Sequence, residues 1–191
     1  DDCDGLAHHG LSLTSEDGSV VEFSGTQDNL VPASDASFVM WSLTDTDWSM
    51  FTSLNGYTDG SLDVEACTSD AGDEWTCMDL PTATSGVAFD ECASLWVGGL
   101  NSGSTYGLSM VMENGDGADH TVYLLTLSQM EEFASTGSGS YLLAQGITAG
   151  SMESVITAFE AQSSDEEILI CFGEIGTAYL GHMWVSEATV Y

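Results

Sequence analysis

An all-β fold, a sandwich or barrel of antiparallel sheets with at most short helical turns, is what this sequence predicts. Two observations predict it. Short stretches of alternating apolar and polar residues recur along the chain, separated by clusters of Gly, Ser, Asp and Asn. The composition agrees: 21 Gly punctuate turns, Ser and Thr are abundant, and Pro occurs only 2 times. The Lys, Glu, Gln and Leu runs of helical proteins are missing. A length of 191 residues suits one large β domain. A domain of this size buries about 70% of the surface its unfolded chain exposes. No repeat or linker divides the chain, so 1–191 is read as a single β-sandwich domain. Residues 1–14 are read as an edge strand or a segment that reaches a neighbouring subunit.

The elements follow in order from the same alternation. Strands are expected at 10–14, 20–24, 38–43, 49–53, 61–68, 76–80 and 93–97 in the first half of the chain. Those at 105–113, 121–127, 141–145, 154–161, 168–172 and 177–185 complete the second half. The strand at 105–113 shows the period of two well. Tyr106, Leu108, Met110 and Met112 share one face, while Gly107, Ser109 and Val111 share the other. One helical turn is expected at 128–134. The segment 151–162 fits two patterns: Met152, Val155, Ile156 and Phe159 make a helical stripe behind a Ser151 N-cap, and Val155, Thr157, Phe159 and Ala161 make a strand face.

Charge excludes more than any motif. The chain has 31 Asp plus Glu, no Lys and no Arg, and a formal net charge of -31. Without Lys there is no Schiff base and no phosphate-loop lysine. Without Arg there is no bidentate clamp for phosphate or carboxylate. Nucleic acid has no cations to meet its phosphates, and an anionic membrane surface repels the chain. No apolar run approaches the roughly 20 residues that cross a bilayer, so no membrane insertion is expected. Self-repulsion weakens the compact state unless divalent cations, salt or acid relieve it. All three conditions point to an extracellular or cell-surface setting, and a start at Asp1 fits a processed secreted chain.

Five cysteines point to the same oxidising setting: Cys3, Cys67, Cys77, Cys92 and Cys171. Five choices of leftover times three pairings of the rest leaves about fifteen arrangements of two bridges. Cys67 and Cys77 flank a Ser/Asp/Gly turn and are the preferred local bridge. Cys3, near the N-terminus, is the candidate for an intermolecular bond.

The second half of the chain resembles a jelly-roll carbohydrate-binding module, of the galactose-binding-like β-sandwich kind appended to xylanases and glucanases. The resemblance rests on GLNSGSTYGLSMVMEN at 99–114, HTVYLLTL at 120–127, SVITAFEA at 154–161, ILICFG at 168–173 and TAYLGHMWVSEATVY at 177–191. It implies a jelly-roll β-sandwich and makes 154–161 a strand. Where the family often places a calcium-binding Asp in the last strand, this chain has Gly181 followed by His182.

Candidate sites follow from side-chain chemistry. Asp45 and Asp47 alternate in TDTDW, and Glu113, Asn114, Asp116 and Asp119 crowd the Gly-containing loop ENGDGADH. Hard oxygen ligands in a turn suit Ca²⁺. Trp41, Trp48, Tyr57, Trp75, Tyr123 and Trp184 are candidate platforms for sugar rings, with Trp48 and Trp75, beside acids, the preferred pair. No G-x-S-x-G elbow or paired acid/base pattern stands out, so no enzyme is expected. The absent basic residues, the odd cysteine and the turn-rich β composition lead to a first expectation: a secreted, cation-stabilised structural subunit of a filament, sheath or surface layer, with copies of itself as partners. The resemblance leads to the second: a carbohydrate-binding module or lectin-like domain with polysaccharide as partner.

Overall fold

The computed structural model describes residues 11–24, 30, 92–115, 117–172 and 178–191. For the strands at 35–36, 41–42, 48–53, 56–58, 64–68 and 74–80, and for positions 96, 134, 172 and 178–182, it describes the backbone course alone. A seven-stranded sheet contains β1 (Ser12–Thr14), β2 (Val20–Phe23), β7 (Val64–Thr68), β8 (Glu74–Leu80), β10 (Thr105–Asn114), β13 (Met152–Glu160) and β15 (Ala178–Val190). A six-stranded sheet contains β5 (Trp48–Ser53), β6 (Gly56–Thr58), β9 (Cys92–Gly98), β11 (His120–Thr126), β12 (Leu143–Ile147) and β14 (Asp165–Phe172). A short ladder pairs β3 (Asp35–Ala36) with β4 (Trp41–Ser42), and one helix, α1 (Leu127–Thr136), follows β11. The described pairings are antiparallel.

From β9 onward the chain crosses between the sheets at each step except the β11–β12 pair, which stays within the six-stranded sheet. The main core lies between them. Tyr106, Leu108, Met110 and Met112 from β10 meet Leu95 and Val97 from β9, Val122 and Leu124 from β11 and Ile168 and Ile170 from β14. These side chains are 0 to 1% exposed, so the alternation read from the sequence is the register that buries them. The segment 151–162 is a strand. Val155 and Phe159 enter the core, and Tyr106 stacks on Phe159 with ring centroids 5.9 Å apart.

Both sheets also bury part of their outer faces, which alternation does not anticipate. On the seven-stranded sheet the β1–β2 hairpin lays Val21 and Phe23 over Ile156 and Trp184. Gly107 permits this closeness: a Cβ there would lie 2.7 Å from Phe23 Cε1 and 2.7 Å from Val21 Cγ1. On the six-stranded sheet Cys92, Leu125, Leu169 and Cys171 are covered by Met130 and Phe133 of α1. The helix is longer than the expected turn at 128–134 because both ends are capped. The Thr126 hydroxyl accepts from Gln129 N, and the Gln129 side-chain oxygen accepts from Thr126 N. Gly137 closes the helix at φ 74°.

Cys92 and Cys171 face each other in the β9–β14 register and form a disulfide, with Cα atoms 4.3 Å apart. The local pairing that the sequence favours is Cys67–Cys77. The β7–β8 register sets Cys67 opposite Trp75 and Cys77 opposite Glu65, and the two thiols lie outside the described residues. Cys3 also lies outside them.

The last strand runs to Val190 rather than 185, since Ala188–Val190 pair with β2 and Tyr191 exchanges two backbone hydrogen bonds with Val20. The strand expected at 141–145 begins only at Leu143. Tyr141 instead turns onto the helix, as described next.

Candidate functional site

Tyr123 lies on β11 between Val122 and Leu124. Those two point into the core, so Tyr123 faces outward beside α1. The helix brings Phe133 to the same face. The loop after Gly137 returns over it, and Gly139 packs so closely that a Cβ would lie 3.0 Å from the Phe133 ring. That contact positions Tyr141. Its ring stacks on Phe133 at 5.2 Å and 16°, and meets Tyr123 at 5.1 Å and 52°. Tyr141 remains 41% exposed.

The floor beside these rings is low. Ala144 stands opposite Tyr123 and Gly146 opposite Thr121 in the β11–β12 ladder. Both are exposed, and open space surrounds the position a Cβ would take on Gly146. Neutral polar groups flank the helix side, where Gln129 Nε2 donates to Ser140 Oγ at 3.2 Å. The result is a supported aromatic shelf with a flat margin and nearby hydroxyl and amide groups. Such a shelf takes the CH face of a ring whose edge carries hydroxyls.

The residues singled out from the sequence fall differently. Trp48 is in register opposite Leu95, and Trp75 opposite Cys67, but both side chains lie outside the described residues. The same holds for Trp41 and Tyr57. Trp184 is 3% exposed beneath the β1–β2 hairpin, and its indole N–H donates to Ser186 Oγ at 3.0 Å. It is therefore core, not platform. Tyr123 belongs to the shelf. Tyr141 and Phe133 were missed: the one lies in a segment read as strand, the other was counted as one helical turn. The available signal was an aromatic residue directly after the Gly-Ser-Gly-Ser run at 137–140.

Asp45, Asp47 and Asp116, half of the expected calcium ligands, lie outside the described residues. Of the others, Glu113 and Asn114 end β10 and are buried, whereas Asp119 is exposed. Asn114 Nδ2 donates to Ala118 O at 2.9 Å and to Ile147 O at 3.0 Å, and Asp119 accepts from Ala149 N at 2.9 Å. These contacts tie the loop to the end of β12. Among the described residues no three His, Cys, Asp or Glu stand together as a metal site.

Two carboxyl groups are held below their usual range by local donors. The Ser15 hydroxyl and the Ser19 backbone N–H stabilise ionised Asp17. The Thr148 backbone N–H stabilises ionised Glu153 against the opposing effect of partial burial, with help from the Ser151 hydroxyl.

No family model and no curated protein matches the chain. Solved structures do. The chain is similar to the CBM22-1–GH10 modules of Clostridium thermocellum endo-1,4-beta-D-xylanase 10B complexed with xylohexaose, at 12% identity and TM-score 0.55, over 85% of this chain and 29% of that one. It is also similar to the CBM22-1 xylan-binding domain of Paenibacillus barcinonensis Xyn10C, at 13% identity and TM-score 0.47, over 75% of this chain and 87% of that one. A CBM4 structure matches at 16% identity and TM-score 0.43, over 73% and 86%. With two antiparallel sheets packed around a main core and, among the described residues, one short helix, the chain has the jelly-roll β-sandwich fold of carbohydrate-binding modules.

Proposed function

We propose that the protein is a non-catalytic, extracellular carbohydrate-binding domain that holds a neutral polysaccharide on the Tyr141 shelf. The observation that carries this reading is the half-exposed Tyr141 ring, seated on Phe133 and Tyr123 beside the open floor of Ala144 and Gly146. The fold is consistent with it, and xylan is the first ligand to test, since the relative with TM-score 0.55 was solved with xylohexaose. A buried disulfide suits the oxidising setting that such a role needs.

The test is affinity electrophoresis and calorimetry with xylan, mixed-linkage β-glucan and cellulose. Binding by the wild-type chain, at least about tenfold weaker in Tyr141→Ala and retained in Tyr141→Phe, is the expected outcome, since losing about 1.4 kcal/mol of stacking is a factor of ten. Tyr141→Ala binding as well as wild type would remove the shelf from the site. Absence of binding to every glycan would reject the function.

One observation favours the self-assembling reading. Ser12–Thr14 ends the order of its sheet, with β2 as its partner among the described residues, and a strand in that position accepts a neighbour's strand. Sedimentation velocity across protein concentration decides it: a concentration-independent monomer argues against the polymer.

A further inference from the structure

A recess of about 260 Å³ opens at β13, the strand that ends the other side of the seven-stranded order. The turn between β1 and β2 forms one wall. Asp17 and Ser19 from that turn, with Thr105 and Glu160, supply a polar rim. Val21, Leu142, Ala158 and Val190 supply an aliphatic wall. The shape is held from behind. Thr157 Oγ1 donates to Leu142 O at 3.1 Å, and Ser15 donates to Asp17, whose carboxylate also takes the Ser19 N–H at 2.9 Å. Leu142 directly follows Tyr141, so this recess and the shelf lie on adjacent residues of one segment.

The chemistry of the lining restricts the occupant. The chain carries no Lys or Arg, so an anionic ligand meets no counter-charge and two carboxylates. Carboxylate and hydroxyl oxygens on the rim accept hydrogen bonds from ligand hydroxyls, and the aliphatic wall suits C–H groups. The volume falls below the roughly 300 Å³ where drug-sized pockets begin, which fits one ring and not an oligosaccharide. The geometry points to a second binding site here, for a single uncharged sugar unit, separate from the Tyr141 shelf. The site rests on the recess itself, so it stands or falls apart from the shelf.

The experiment is methyl NMR of the full chain titrated with D-xylose, D-glucose, D-galactose, sodium D-glucuronate, D-glucosamine and calcium chloride. Saturable shifts at the Val21, Leu142 and Val190 methyls with a neutral sugar are expected, with no such shifts from glucuronate. Ala158→Leu, which narrows the recess, is expected to abolish them. Glu160→Gln, an exposed rim change that leaves packing intact, is expected to weaken the neutral sugar about fivefold, the scale of one hydrogen bond. Tyr141→Ala is expected to leave them unchanged while it loses polysaccharide, which separates failure at the shelf from failure here. The inference is overturned if no neutral sugar moves those methyls, if glucuronate, glucosamine or calcium moves them as strongly, or if both recess variants bind as wild type does.

Discussion

Breaking the Cys92–Cys171 bridge is the sharpest test of how this fold is held. The bridge closes a loop with a sequence separation of 79. It joins the middle of the six-stranded sheet, where Cys92 and Cys171 are 0% exposed against Leu125, Leu169, Met130 and Phe133. In the chain-entropy account, closing a loop of that length removes about 4.5 kcal/mol of freedom from the unfolded chain at 25 °C. That is a large share of the about 5–15 kcal/mol by which domains are stable. The variant Cys92→Ala/Cys171→Ala also removes two buried sulfur atoms, for roughly 1–2 kcal/mol more. Serine is the wrong replacement, because it would place hydroxyls in an apolar cluster. The assay is equilibrium urea unfolding of the oxidised wild type and the oxidised double-alanine variant, which leaves the other three cysteines untouched. The expected loss is about 6 kcal/mol, read as a drop of about 2 M in the midpoint for a slope near 2.5–3 kcal/mol/M. In native buffer the bridge should also resist reductant, reacting only as the chain opens. A loss below about 1 kcal/mol, or rapid reduction of the native wild type, would refute the reasoning.

Three further predictions follow from packing and charge. Gly107→Ala should cost about 1–3 kcal/mol by forcing Val21 and Phe23 outward, and Phe23→Leu in the same chain should recover part of it; a simple sum of the two losses in thermal melts would argue against the contact. Asn114→Ala should cost about 1–3 kcal/mol, because the Ala118 and Ile147 carbonyls lose their shared donor; calorimetry checks it, and Asn114→Asp, which supplies no N–H donor, should be destabilised at least as much. Acidification from pH 7 toward about 4.5 should raise the melting temperature, because protonation relieves the repulsion of a chain at -31. Asp17 and Glu153 act in the opposite sense: their depressed values mean that their contribution is complete above the unfolded carboxylate range and is lost only as pH falls through the folded values. Stability should therefore pass through a maximum in mild acid. A melting temperature that falls steadily from pH 7 would refute this. Calcium tested against sodium at equal ionic strength separates ligation by the 113–119 and 45–47 carboxylates from simple screening.

What the sequence determined was set by short-range rules. Period-two alternation in 105–113 identified β10 and its inward face, since a one-residue slip would expose Tyr106, Leu108, Met110 and Met112 together. The absence of Lys and Arg determined that no such counter-charge offsets the 31 acidic residues. Tertiary structure decided the rest, because the deciding contacts join residues that no local pattern relates. Parts of the outer faces are buried by a hairpin and a helix that arrive from elsewhere in the chain, so Trp184, a candidate sugar platform in the sequence, is core. Cys92 and Cys171 meet through the β9–β14 register, which no spacing of five cysteines encodes. Tyr141 is a binding candidate only because Gly139 lets its loop lie against Phe133, and because Ala144 and Gly146, two strand residues with nothing aromatic about them, leave the space beside it open.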